Sequence, residues 1–76
     1  TMKEMKIKLF TIQQVREFVN DVILQDFDVD LVQGRYTIDA KSIIGVLSMD
    51  LTKVLTVRYG EKNSRFEEVL QKYCVA

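Results

Sequence analysis

The chain has 76 residues, 47% of them hydrophobic, with 11 basic and 11 acidic side chains and a formal net charge of zero. A chain of this length is expected to form one domain, residues 1–76, around a core of barely sufficient size. The balanced charge argues against a nucleic-acid or acidic-membrane partner, since both favour a basic excess, and no apolar run approaches the roughly 20 residues of a membrane helix.

Two residue counts narrow the possible chemistry. The single cysteine excludes an intrachain disulfide and a multi-cysteine zinc site, which fits a reducing cytoplasm. The first residues also lack the apolar core of a signal peptide, so a cytoplasmic location is expected. The chain contains no histidine, which rules out a histidine base, a histidine metal ligand and a phosphohistidine. We therefore expect no metal, no cofactor and no enzymatic activity.

Residues 2–10 alternate between apolar and polar side chains, which predicts a half-buried strand with Met5, Ile7 and Leu9 on its apolar face. Thr11 then begins a helix that ends between residues 23 and 26. Thr11 and Gln14 form a capping box, and Phe10 is expected to pack on Val15 as a hydrophobic staple. The predicted apolar stripe of this helix consists of Ile12, Val15, Phe18, Val19, Val22 and Ile23.

Residues 27–33 alternate again and predict a second strand. Gly34 and Arg35 are the predicted turn, and the strand that follows contains Tyr36, Ile38 and Ala40. Together these segments predict a β-hairpin.

A short helix is predicted over residues 42–49, with Ser42 as its N-cap. A helix of about two turns can bury only one stripe of its surface. Val46 and Met49 are expected to face inward. The apolar residues that remain nearer the surface, which predict a docking site for a partner protein, are Ile43, Ile44 and Leu47.

The last predicted elements are a strand over residues 52–59, a turn over residues 60–63, and a helix from Ser64 to Cys74. Ser64 and Glu67 are the predicted capping box of that helix. Cys74 falls on its apolar stripe and is expected to be buried, with no neighbouring cation to lower its pKa.

The predicted order is therefore strand, helix, strand, strand, helix, strand, helix. This order predicts a two-layer α+β domain, in which a four-stranded, mainly antiparallel sheet carries the helices on one face.

The segment at residues 40–49 reads AKSIIGVLSM. It resembles the L-K-S-I-[ML]-G-[VL]-[ML]-S-L segment of HPr, the phosphocarrier of the bacterial sugar phosphotransferase system. The resemblance implies the HPr open-faced sandwich of order βαββαβα. It also implies a protein partner, from a transport system or carbon regulation, that binds Ile43, Ile44 and Leu47 together with Ile12 at the start of the first helix.

The resemblance places Thr11 where HPr-like phosphocarriers have their phosphorylated histidine. In the family's G-[IL]-H-A-R-P-A motif the arginine corresponds to Gln13 and the proline to Gln14 of this chain. A threonine hydroxyl is a poor nucleophile without an adjacent base. The simpler interpretation of Thr11 is an N-cap.

Ser42 corresponds to a serine that a dedicated kinase phosphorylates in HPr-like proteins of one bacterial lineage. A helix N-terminus stabilises negative charge, and Lys41 is its neighbour in sequence, so Ser42 is a phosphorylation candidate. Ser42 is also an ordinary N-cap residue.

Asp26, Asp28 and Asp30 begin like a calcium-binding loop, but Leu31 and Thr37 stand where that loop needs glycine and glutamate. We interpret the three carboxylates as one solvated face of a strand.

The sequence thus predicts a non-catalytic, HPr-like regulatory or docking module, for which the histidine-lacking catabolite-repression HPr is a precedent in the family. The alternatives are a phosphotransfer component that uses a residue other than histidine, a domain of a larger transferase, and a structural remnant without a partner.

Overall fold

A computed structural model describes residues 2–61 and 63–75. Its elements follow the predicted order and are β1 (Lys3–Ile7), α1 (Ile12–Ile23), β2 (Val29–Gln33), β3 (Tyr36–Asp39), α2 (Ile43–Leu47), β4 (Leu55–Tyr59) and α3 (Ser64–Leu70). Within the described ranges, no helix is long and apolar enough to cross a membrane.

The four strands form one sheet in the order β1-β4-β2-β3, and all three pairings are antiparallel. The register places Ile7 opposite Leu55 and Leu31 opposite Val57, so the apolar positions of neighbouring strands share one face. The helices cover this face, which confirms the predicted open-faced sandwich.

The core lies between the sheet and the helices, and every buried residue of the described chain is hydrophobic. Aromatic rings fill its two ends. Phe66 meets both Tyr59 and Phe27 edge to face, with ring centroids 5.2 and 5.3 Å apart. At the other end Phe18 meets Tyr73 at 5.5 Å in the same arrangement, which is a favourable geometry for aromatic pairs.

The apolar stripe of α1 is narrower than predicted. Val15, Phe18, Val19 and Val22 are buried, whereas the first and last residues of the helix, Ile12 and Ile23, are exposed. Both lie at the ends of α1, and only the middle part of the apolar stripe is covered by the core.

The predicted packing of Phe10 on Val15 is not found. Phe10 is exposed while Val15 is buried, and the Phe10 ring lies instead beneath the ammonium of Lys8, 5.3 Å from its centroid. A cation over an exposed aromatic face stabilises it without burial.

The hairpin turn is at Gly34 and Arg35, as predicted. Gly34 has a φ of +58°, and no other described residue has a positive φ. A two-residue hairpin loop with glycine first is the pattern of a type II′ turn, whose twist matches that of the flanking strands.

The predicted capping box of α3 is wrong. Asn63 is the N-cap, and its side-chain oxygen accepts the N–H of Phe66 over 3.0 Å. Asparagine caps as well as serine, and it comes one residue earlier, so Ser64 is already helical. Glu67 instead accepts a hydrogen bond from the Tyr59 hydroxyl over 2.6 Å. Lys62, part of the predicted turn, lies outside the described residues.

The predicted burial of Cys74 is also wrong, since this cysteine is exposed. The helix ends at Leu70, and after a turn Cys74 forms an isolated β-bridge with Ile7. An extended segment places successive side chains on opposite sides. Tyr73 therefore takes the buried position and Cys74 faces solvent.

Candidate functional site

The N-terminus of α2 is built around Ser42. Its backbone is extended, with φ −98° and ψ 112°, and its Oγ accepts the N–H of Gly45 at an N···O distance of 3.1 Å. Ser42 is therefore the predicted N-cap. Gly45 allows the backbone of α2 to lie close to the Ser42 side chain, because a Cβ at residue 45 would stand 3.3 Å from Ser42 Oγ. The same Cβ would be 3.5 Å from Ile38 Cδ1.

Lys41 links α2 to the end of α1. Its Nζ donates to the carbonyl of Gln25 over 2.9 Å, while its backbone N–H donates to Asp39 Oδ1 over 2.9 Å. No basic residue lies in the last turn of α1. The ammonium of Lys41 therefore supplies a favourable cation at the negative end of the α1 dipole.

The α2 patch, defined as Ile43, Ile44 and Leu47, faces outward. These side chains are 38%, 78% and 45% exposed. Val46 and Met49 are buried on the opposite side, as predicted. The patch is therefore held in place by its own helix while remaining in contact with solvent.

A groove of about 380 Å³ separates α2 from α1 and is lined by Arg16, Val19, Asn20, Ile23, Lys41 and Ile43. Lys41 reaches the C-terminal end of α1, and Ile43 is the residue of α2 that lines the groove. Ile12 is one turn before Arg16 on the same side of α1 and is 61% exposed. Ile12 is thus an exposed apolar residue at the start of α1.

The groove carries only positive charge. Its two charged side chains are Arg16 and Lys41. Neither forms an ion pair among the described residues, where every ion pair uses a different basic side chain. The surface beside the α2 patch therefore favours an acidic partner.

Thr11 is the N-cap of α1, with φ −137° and ψ 159°. Its Oγ1 accepts the N–H of Gln14 over 3.0 Å, and the Gln14 side chain accepts the N–H of Phe10 over 2.7 Å. This differs from a standard capping box, in which the Gln14 side chain would accept the backbone N–H of Thr11. The Thr11 hydroxyl is thus engaged in capping rather than positioned against a base.

The two buried tyrosines, Tyr59 and Tyr73, offer no alternative nucleophile. Burial raises the pKa of Tyr59 and of Tyr73 well above the usual range, and hydrogen bonds to Glu67 and Asp21, respectively, raise each pKa further. Both hydroxyls remain protonated donors at neutral pH.

The aspartates of the predicted solvated face do not form a metal site. The prediction that they share one face of a strand is wrong, because Asp26 and Asp28 are exposed and precede β2, and only Asp30, which is half-buried, belongs to the strand. Nowhere in the described part of the chain do three acidic or cysteine side chains group as metal ligands would.

The sequence does not predict two features of this surface, namely the hydrogen bond from Lys41 to Gln25 and the position of Arg16 in the groove. Both join residues that are far apart in the chain. The one local signal is that Arg16 and Asn20 are four residues apart on a helix.

Comparison with known proteins gives matches by structure alone. No protein-family model matches the sequence, and no curated protein matches it significantly. The solved structures that resemble it include HPr-C-His from Thermoanaerobacter tengcongensis, with a TM-score of 0.71 and 18% identity over 95% of this chain and 88% of that one. They also include a phosphocarrier protein HPr from Bacillus anthracis str. Ames, with a TM-score of 0.68 and 23% identity over 99% of this chain and 96% of that one.

The chain has the HPr fold. The resemblance in residues 40–49 agrees with this result, because that segment forms α2 and its cap in the structure. The HPr fold also places the start of α1 and the whole of α2 on one side of the sheet, where the α2 patch and Ile12 lie.

Proposed function

We propose that this chain is a non-catalytic docking module related to HPr of the phosphotransferase system, with a regulatory role. The observation that carries the proposal is the exposed α2 patch, together with the exposed Ile12 at the start of α1, on an HPr fold without histidine. An apolar centre with a polar rim is what a small transient interface needs.

The charge of the groove supports a partner of particular chemistry. Arg16 and Lys41 border the apolar side chains without a neighbouring acid in the groove. A partner that presents apolar residues flanked by carboxylates would match both properties. Transport-system and carbon-regulation proteins are the partners that relationship to HPr suggests.

The proposal that the module is non-catalytic rests on Thr11 and its neighbours. The Thr11 hydroxyl caps α1, and Gln13 stands at the position of the motif's arginine. A hydroxyl without a base is not an activated nucleophile. Regulation through phosphorylation at Ser42 is compatible with this role, because Ser42 is exposed at the start of the patch-bearing helix.

A phosphotransfer assay tests the non-catalytic part. The chain is incubated with phosphoenolpyruvate and Enzyme I, and its intact mass is measured alongside that of an HPr that carries the histidine. We expect no phosphate adduct on this chain while the control HPr is fully converted. A stoichiometric adduct would support the alternative of phosphotransfer through another residue.

A binding assay tests the docking part. Amide NMR spectra of the labelled chain are recorded during titration with Enzyme I and with a carbon-regulation partner of HPr. We expect at least one of them to shift signals of α2 and of the start of α1. Ile44→Glu should remove these shifts. Val54→Glu is the matched control, because Val54 precedes β4 and does not line the α1–α2 groove. Its exposed fraction, 44%, is similar to the 45% of Leu47 in the α2 patch.

Shifts that persist in Ile44→Glu would place docking elsewhere, and the absence of shifts with every HPr partner would contradict the proposed relationship.

A further inference from the structure

The sheet has one covered edge and one open edge. On the β1 side, Lys8 donates its N–H to the carbonyl of Tyr73 over 3.0 Å, and Val75 donates to Lys6 over 3.2 Å. On the other side, β3 ends the strand order, and no strand within residues 2–61 and 63–75 lies beyond it. An open edge presents backbone groups that can pair with another strand.

The hydrogen-bond pattern of the hairpin identifies those groups. Ala40 donates its N–H to Val29 over 2.9 Å, directly across the hairpin. Bonded and non-bonded pairs alternate in an antiparallel ladder, so Ile38 and Tyr36 also bond to β2. Thr37 and Asp39 therefore direct their N–H and C=O groups outward. The carbonyl of Asp39 accepts the N–H of Ser42, which leaves Thr37 as the centre of the open edge.

The side chains along this edge combine an exposed aromatic ring with opposite charges. Tyr36 is 67% exposed. Arg35, Thr37 and Asp39 are also exposed, and neither Arg35 nor Asp39 belongs to an ion pair of the described residues. A cleft of about 450 Å³ lies beside the edge and is lined by Gln33, Tyr36, Ile38, Ser48, Met49 and Asp50.

Asp39 has a second carboxylate as its neighbour across the hairpin. It lies directly opposite Asp30 in the register, and like charges at such positions are destabilising. On the other side of Asp30 lies Arg58 of β4, but its Nε binds Glu4 over 3.0 Å. A cation delivered to Asp39 from outside would relieve this repulsion.

We propose that the β3 edge pairs with β3 of a second copy of this chain, antiparallel and with Thr37 on the two-fold axis. This joins the two sheets into one continuous sheet. The Thr37 residues of the two copies exchange N–H···O bonds, and the N–H of Asp39 meets the carbonyl of Arg35 in the second copy. This surface is separate from the α2 patch, so the inference is independent of the proposed function.

The side chains complement one another in this register. Arg35 lies opposite Asp39 of the second copy, and the symmetry repeats the pair. Tyr36 lies opposite Ile38 of the second copy as a non-bonded pair, where side chains are closest. Aromatic–β-branched and opposite-charge pairs both stabilise antiparallel strands. The zero net charge of the chain adds no overall repulsion.

Charge also selects this register over the one centred on Ile38. Centring the pair on Ile38 would place Arg35 opposite Lys41 of the second copy. Two cations at opposed positions are destabilising. The register centred on Thr37 is therefore favoured.

Sedimentation equilibrium from micromolar to millimolar concentration tests the proposal. The wild-type mass should rise from 8.9 kDa towards twice that value. Arg35→Asp and Asp39→Arg each create two like-charge pairs and should weaken the dimer by about tenfold. An equimolar mixture of the two variants restores opposite charges at both positions and should dimerise as tightly as the wild type. Arg65→Asp, the same change at an exposed position on α3, should have no effect.

Thermal melts by circular dichroism establish that each variant is folded. If Asp39→Arg fails to fold through loss of its bond to Lys41, Thr37→Pro replaces it, because the Thr37 N–H points away from β2 and an edge strand tolerates proline. This variant should be monomeric. A wild type that stays at 8.9 kDa throughout would overturn the proposal. So would folded edge variants that dimerise like the wild type, or a mixture of charge variants no tighter than either alone.

Discussion

Ser42 shows how one side chain organises the surface proposed for docking. Its hydroxyl caps α2 through the N–H of Gly45, and its carbonyl accepts the N–H of Val46 over 3.0 Å. A helix of five residues has few internal hydrogen bonds, so the cap is a large part of what fixes Ile43 and Ile44 outward.

Substitution of Ser42 measures this role. Ser42→Ala should lower the free energy of unfolding by about 1 kcal/mol, because it leaves an N–H of the first turn without its partner. Ser42→Asp should be close to neutral, since a carboxylate both caps and meets the positive end of the helix. Urea denaturation of the two variants and the wild type gives the comparison. A large loss with Asp would indicate that the carboxylate of Asp39, three residues before the cap, repels the new charge.

Asp50 organises the connection between α2 and β4. Its Oδ1 accepts both the N–H of Thr52 over 3.1 Å and the Thr52 hydroxyl over 2.6 Å. These bonds hold the pKa of Asp50 below its ordinary value of 3.8, the side-chain bond contributing most. Gln33 fixes the same residue from the hairpin through two bonds to its backbone.

The lowered pKa of Asp50 predicts a pH dependence. A carboxyl whose pKa is lower in the folded state stabilises the fold above its unfolded pKa and loses that contribution as the pH falls through its folded pKa. The contribution should therefore be complete above the ordinary value of 3.8 and disappear below it. Thr52→Val should raise the pKa of Asp50 towards that value, as measured by NMR titration of its carboxyl carbon. An unchanged pKa would mean that the hydroxyl is not the main cause, and that the retained N–H of residue 52 and Lys53, 3.8 Å from Asp50, account for the lowering.

At the scale of elements, the sequence predicts what depends on local periodicity. Patterns that extend over only a few residues predict the seven elements, the caps at Thr11 and Ser42, and the turn at Gly34. The missed features need contacts between distant segments. Cys74 is exposed because the chain returns to pair with Ile7, and no helical period contains that information.

The proposed docking surface is predictable in part for the same reason. The outward direction of Ile43, Ile44 and Leu47 follows from the short helix alone. The groove does not, because it requires that α2 lie along α1 with Lys41 bonded to Gln25. The cap of α3 illustrates a different difficulty, since Asn63 and Ser64 are adjacent residues of equal capping ability, so the sequence does not decide between them.

At the scale of the whole molecule, a small core limits which changes the fold tolerates. A domain of this size has a net stability of about 4–11 kcal/mol on the usual scale per residue. A single buried charge costs several kcal/mol. The same substitution should therefore be harmless at an exposed position and sufficient to unfold the domain at a buried one, which makes neighbouring residues of α2 a direct test of the fold.

Ile44→Glu and Val46→Glu form that test, because the two positions are two residues apart on one helix. Ile44 is 78% exposed, whereas Val46 is fully buried. Ile44→Glu should shift the melting temperature by no more than a few degrees, whereas Val46→Glu should abolish the cooperative transition. Thermal unfolding followed by circular dichroism distinguishes them. Loss of the fold in Ile44→Glu would place that side chain in the core and remove it from the α2 patch; a stable Val46→Glu would mean that α2 can leave the sheet without unfolding the rest.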